Sequence, residues 1–139
     1  LMVSIHSVPL TEVSRYGILS GIWEDKENTI LNVSAMNEKP KASYAEEFLG
    51  VRGNDGKKEY CSVFGQYILT PEVFQQLETD IRKADEGNDH TREIELTSAL
   101  EAVRSNHGMM GVRLDGEMYD MGNPDALCRC VAAFSKPKE

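Results

Sequence analysis

No stretch of this sequence approaches the roughly 18 consecutive apolar residues that a membrane-spanning helix needs, and the N-terminus carries no basic flank followed by an apolar core. A membrane or secretory reading has no support. Basic residues are outnumbered, 15 Lys and Arg against 23 Asp and Glu for a formal charge of -8, and no block of five or more of them occurs. The electrostatic footprint of a nucleic-acid-binding protein is therefore missing, and any phosphate bound here must be small and held locally. Cysteine is scarce and odd in number: Cys61, Cys128 and Cys130, the last two spaced one residue too tightly for the usual zinc knuckle. This pattern fits free, reduced thiols in a cytoplasmic protein. His6, His90 and His107 lie far apart and beside no Ser or Cys nucleophile arrangement, which leaves a triad-type hydrolase without support. Trp23 and the scattered Tyr and Phe residues do not interleave with a basic stripe, so they read as packing rather than as a base-stacking platform. Internal repeats and low-complexity tracts are also absent from the sequence.

What is present is the composition of an ordinary globular protein, 40% hydrophobic and 27% charged over 139 residues. That length suits one domain, residues 1–139, able to bury roughly two-thirds of its unfolded surface. Alternation predicts a strand over Met2 to Val8, ended by Pro9, and two more over Tyr16 to Trp23 and Thr29 to Ala35, paired antiparallel across the polar stretch Glu24 to Asn28. Lys41 to Asp55 reads as a loop with one helical turn near Tyr44 to Leu49. Glu59 to Leu69 is apolar almost without alternation towards its end, as in a strand covered on both faces. Thr70-Pro71 is a helix start, and Val73, Phe74, Leu77 and Ile81 form an apolar stripe behind it, with Glu72 in the first turn and Arg82 and Lys83 in the last. Residues 84–92 read as an exposed connection. Ser98 and Glu101 have capping-box spacing for a helix over about Thr97 to Ser105, stopped by Asn106-His107-Gly108. Met109 to Leu114 reads as a strand, Asp115-Gly116 as its turn and Glu117 to Tyr119 as the return; Asn123-Pro124-Asp125 then opens a last helix with Leu127, Cys130, Val131 and Phe134 on one face. The expected fold class is α/β, a mixed sheet flanked by helices.

Glu38-Lys39-Pro40 follows a predicted strand. A carboxylate can accept hydrogen bonds from two neighbouring sugar hydroxyls and an ammonium offers a compact charge to a phosphate, so the pair could grip a sugar phosphate from both ends; the plain alternative is a solvated strand end stopped by proline. Gly17 inside a strand marks either a bulge or a close approach of ligand to backbone. Val63 by itself reads as core. Asp120, followed by Met121-Gly122-Asn123, is either a turn aspartate bonding to nearby backbone or a hard oxygen ligand for magnesium shared with substrate phosphates.

Three stretches occur in fixed order: Ser14-Arg15-Tyr16-Gly17, Asn37-Glu38-Lys39-Pro40 and Tyr119-Asp120-Met121-Gly122-Asn123, with Gly65-Gln66-Tyr67-Ile68-Leu69-Thr70-Pro71 between the second and third. Together they resemble the sugar nucleotidyltransferases, and within them the UTP-glucose-1-phosphate uridylyltransferases, from about Val3 to Phe134. The resemblance implies the C-terminal half of a Rossmann-like nucleotidyltransferase domain. It implies a reaction in which the oxygen of glucose 1-phosphate attacks the α-phosphate of UTP and releases pyrophosphate, a chemistry of positioning and charge neutralisation. It also implies sugar contacts from Gly17, Glu38 and Val63, phosphate contact from Lys39, and Mg2+ ligation by Asp120, so that Lys39 and Asp120 carry the catalytic roles. A cytoplasmic homo-oligomer with no nucleic-acid or membrane partner goes with the family. Two positions depart from its pattern: Asn37, where an acid is frequent, and Ser98, where Asp often follows Leu-Thr. The glycine-rich nucleotide loop with its Arg and Lys is not in this sequence, which starts Leu1-Met2; the expectation is a portion of a longer enzyme, with UTP held mainly by the other half and no turnover alone. A thymidylyl- or guanylyltransferase portion, or a non-catalytic module for sugar-phosphate binding or oligomerisation, stays open as an alternative.

Overall fold

The computed structural model describes residues 1–87, 94–119, 121–122 and 124–135. Six strands and four helices make up most of it: β1 (Met2–Val8), β2 (Gly17–Trp23), β3 (Ile30–Glu38), α1 (Ala42–Tyr44), β4 (Val51–Arg52), β5 (Lys58–Ile68), α2 (Pro71–Glu86), α3 (Leu96–His107), β6 (Met110–Arg113) and α4 (Pro124–Phe134). A 3-10 turn, Leu10–Arg15, links β1 to β2, and a π-helical turn, Ala45–Leu49, continues α1. The sheet order is β1-β6-β3-β2-β5-β4, with β1 also paired to β5, so the pairings of β1, β6, β3, β2 and β5 close into a circuit. Only β1 with β6 is parallel among them. The sheet is mixed, as expected.

Alternation along β2 and β5 sends neighbouring side chains to opposite faces and into two cores. Leu19 and Cys61 join Val3, Ile5, Leu31, Val33 and Met36 under α2 and α3, which contribute Val73, Leu100 and Val103. Ile18 and Tyr60 point the other way, to Val8, Val13, Ala45 and Leu49. Each fully buried aliphatic side chain stabilises the fold by about 1.5–3 kcal/mol.

β3 runs three residues further than alternation indicated, through Glu38, because β2 stays paired to it as far as Gly17 opposite Glu38. Several expectations need correction. The far end of β5 is not covered on both faces: β2 pairs with β5 at Cys61 and Ser62 while β1 alone follows it to Ile68, and residues 65–68 are exposed. α2 continues through residues 84–86 instead of stopping at Lys83, and of its stripe Val73 is buried while Phe74 and Ile81 are exposed, since the helix packs along α3. α3 starts at Leu96 with Glu95 as its cap, so Ser98 lies within the first turn and no capping box forms; Glu101 binds Arg104 instead. Glu117 to Tyr119 form no return strand, because β1 and β3 already occupy both sides of β6. On α4 the small residues Ala126 and Cys130 face inward while Leu127, Val131 and Phe134 are exposed. No helix among the described residues is long and apolar enough to cross a membrane. Cys61, Cys128 and Cys130 are all free thiols.

Candidate functional site

The end of the β2–β3 ladder brings three of the expected residues together. Gly17 opens β2 directly opposite Glu38, the last residue of β3. A Cβ built on Gly17 would lie 3.0 Å from Glu38 Oε2, 3.4 Å from Met36 Cε and 3.7 Å from Val63 Cγ2. The absent side chain is thus what lets the Glu38 carboxylate lie down over β2, with Val63 of β5 beside it. Val63 also packs against the larger core, which holds it in place.

Lys39 follows with φ of 45°, a left-handed conformation that costs a residue with a Cβ about 1 kcal/mol or somewhat more. Its backbone N–H donates to Tyr16 O at 3.0 Å, prolonging the ladder by one bond, and Pro40 is buried behind it. The left-handed turn brings the ammonium back to 3.7 Å from Glu38 Oε1, with its side chain 65% exposed. An ion pair this open is worth 0–1 kcal/mol, so it leaves Lys39 available to a ligand.

Thr97, near the start of α3, donates its hydroxyl to Glu38 Oε2 at 2.9 Å. Sequence reasoning missed this residue: its partner lies 59 positions away, and neither periodicity nor capping pattern signals the contact. Tyr67, at the exposed end of β5, belongs to the same neighbourhood. Partial burial, and after it the Glu38 carboxylate, push its phenol above the ordinary value. The strand end therefore presents a carboxylate with each oxygen differently engaged, an exposed ammonium and a small apolar wall.

Asp120 and Asn123 lie outside the described residues, as does His90. Among the described residues no group of three or more His, Cys, Asp or Glu could hold a metal ion by itself. His107 ends α3 and is exposed.

A cleft of about 450 Å³ opens elsewhere, beside the β2–β3 turn, lined by Glu27, Asn28, Asn54, Lys58, Glu59 and Arg113 among others. It lies at the start of β3, roughly 26 Å of strand from Glu38. Its charges answer one another: Arg113 meets Glu59 at 2.5 Å and Lys57 meets Asp55 at 3.1 Å. Convergence of chemically suited side chains, rather than the size of a concavity, locates the candidate site at the Glu38 end.

Comparison with known proteins supports the same class. Residues 1–136 match the family described as Nucleotidyl transferase. The chain is 34% identical over 121 residues to the UTP–glucose-1-phosphate uridylyltransferase of Staphylococcus haemolyticus (strain JCSC1435), covering 87% of this chain and 35% of that protein. It is 30% identical over 121 residues to the enzyme of the same name from Streptococcus pneumoniae serotype 4, covering 87% and 34%. A crystal structure of UDP-glucose pyrophosphorylase complexed with UDP-glucose superposes with a TM-score of 0.70 at 26% identity, over 96% of this chain and 43% of that one. The chain belongs to the nucleotidyl transferase family. It spans about one third of the length of the curated relatives it matches.

Proposed function

We propose that this chain is the sugar-phosphate-binding portion of a nucleotidyltransferase that joins UTP and glucose 1-phosphate into UDP-glucose and pyrophosphate. The observation that carries this reading is the meeting of Gly17, Glu38 and Val63 at one strand end, with the Lys39 ammonium 3.7 Å from the Glu38 carboxylate. In it, Glu38 accepts hydrogen bonds from sugar hydroxyls over the bare backbone of Gly17, and Val63 packs against the ring. Lys39 leaves its weak ion pair to hold the phosphate whose oxygen is the nucleophile. Neither residue forms a covalent bond; both orient the nucleophile and offset charge, which is most of what such transfers require.

Asp120 is the residue that would hold Mg2+. One hard carboxylate suits that ion, which keeps waters and shares phosphate oxygens, so a cluster of three protein ligands is not needed. When bound, the ion neutralises phosphate charge. UTP would be held mainly by family residues beyond this stretch of sequence, and the isolated chain would bind without turning over. An oligomeric, cytoplasmic parent enzyme fits the same reading.

Titration calorimetry with glucose 1-phosphate tests it. With only part of the contacts present, the affinity expected is millimolar, about 4 kcal/mol, and Lys39→Ala should weaken it beyond detection. Equal heats from the two proteins would remove the assignment of Lys39. Binding by neither would remove the sugar-phosphate reading.

A further inference from the structure

We propose that Thr97 is a positioning residue for sugar recognition: its hydroxyl fixes the plane of the Glu38 carboxylate so that one oxygen, Oε1, is presented to the sugar. This rests on the sugar-phosphate reading above and adds to it a residue that acts through Glu38 without touching the ligand.

The two carboxylate oxygens have different neighbours. Oε2 accepts the Thr97 hydroxyl at 2.9 Å and lies against the backbone of Gly17, whose missing Cβ would stand 3.0 Å away. Among the described residues Oε1 has the Lys39 ammonium, at 3.7 Å, as its ion-pair partner and accepts no hydrogen bond. The first arrangement is anchored and the second is loose. Thr97 is the second residue of α3, and that helix is pinned by Ala99, Leu100 and Val103, the last two in the core that also holds Leu31, Val33 and Met36 of β3. Arg104 and Glu101 clamp each other on the same helix with contacts of 2.7 and 2.8 Å. α3 therefore needs no bond from Thr97 to keep its place, and the hydroxyl is directed to a strand end 59 positions upstream rather than to its own helix terminus, where no side-chain cap forms.

A glutamate side chain has three rotatable bonds, and ordering it only when ligand arrives weakens binding. Thr97 orders it beforehand. When a phosphate draws Lys39 away, Oε1 becomes free while Oε2 stays tied, so the sugar meets a carboxylate of fixed orientation. Inorganic phosphate, which has no hydroxyls to present in a ring, engages Lys39 alone and gains nothing from that orientation.

The full chain, labelled with 15N, is titrated with glucose 1-phosphate and separately with inorganic phosphate while the Gly17 and Lys39 amide signals are followed. Thr97→Val keeps the shape and removes the hydroxyl; Thr97→Ser keeps the hydroxyl. The expected result is a Kd for glucose 1-phosphate raised roughly three- to tenfold in Thr97→Val, within about twofold of the parent in Thr97→Ser, and an unchanged Kd for inorganic phosphate in all three. Should Thr97→Val lose its dispersed amide spectrum, Thr97→Ala carries the same expectation. Equal glucose 1-phosphate affinity in parent and Thr97→Val overturns the proposal, as does an equal weakening of both ligands or a failure of Thr97→Ser to restore binding. A parent chain that does not prefer glucose 1-phosphate to inorganic phosphate overturns the underlying sugar-phosphate reading as well, and that outcome is visible before any variant is made.

Discussion

Two acids stand at opposite ends of one β-ladder and are used in opposite ways. At the closed end, Asp25 accepts the backbone N–H of Thr29 at 3.0 Å and of Ile30 at 2.8 Å, together with the Thr29 hydroxyl. Its carboxyl is held below the ordinary value, first by the Thr29 hydroxyl and next by the Ile30 amide. At the open end, Glu38 is held by Thr97 from another element and faces a lysine that is free to leave. An acid satisfied by neighbours four and five residues on closes a turn and has little capacity left. An acid tethered from a distance, with one oxygen under a loose ammonium, keeps capacity for a ligand. The sequence separation of the partner distinguishes the two roles better than the residue type does.

Gly21→Ala breaks the ladder that joins these ends, and has the largest expected effect. A Cβ there would lie 2.1 Å from the backbone oxygen of Asn32, at the register shift between Ser20 and Gly21, and a backbone atom cannot step aside as a side chain can. The variant should lose about 3 kcal/mol in urea denaturation and lose sugar-phosphate affinity with it. An unchanged midpoint would show that the two ends do not depend on a continuous ladder.

Alkaline titration reports on the sheet next to the open end. Cys61 pairs with Leu19 of β2, two residues from Gly17, and burial pushes its thiol up from 9.0 to about 11. The folded state therefore binds a proton that the unfolded chain has released between those values, so stability is complete below about pH 9 and falls by roughly 2–3 kcal/mol as the pH rises to 11. Cys61→Ala should flatten that alkaline limb in a pH series of urea midpoints, and a limb of the same depth in the variant would count against it.

The smallest effect belongs to Asp25→Asn. Because the folded pKa of Asp25 is lowered, its contribution is present above the ordinary aspartate value and disappears as acid protonates it in the fold. The variant should unfold at a slightly lower urea concentration at pH 7 and coincide with the parent in strong acid, while binding glucose 1-phosphate equally well. A loss of sugar-phosphate binding in Asp25→Asn would dissolve the contrast between the ends.

The sequence makes β3 legible because one of its faces is buried at Leu31, Val33 and Met36 while Asn32 and Ser34 between them are exposed, and Thr70-Pro71 marks the start of α2 because the local chemistry of a helix start needs no tertiary partner. It was silent on what depends on neighbours. The 3-10 turn Leu10–Arg15 carries one buried residue, Val13, too little to set up a period. The expected return strand at residues 117–119 fails because β6 is flanked on both sides, a fact of topology. For the candidate site, residue chemistry and family resemblance point to Gly17, Glu38, Lys39 and Val63, and the fold gathers them; the relation of Thr97 to Glu38 exists only after α3 packs on β3.

Lys39 sits where glycine or asparagine would rest more comfortably, at φ of 45°. Mutational drift that favours robustness would thus tend to erase the charge, since relaxing the backbone and deleting the ammonium are one and the same step. Under the role proposed for Lys39, a copy that had shed that role would be recognised by a sturdier fold carrying Gly or Asn at that position.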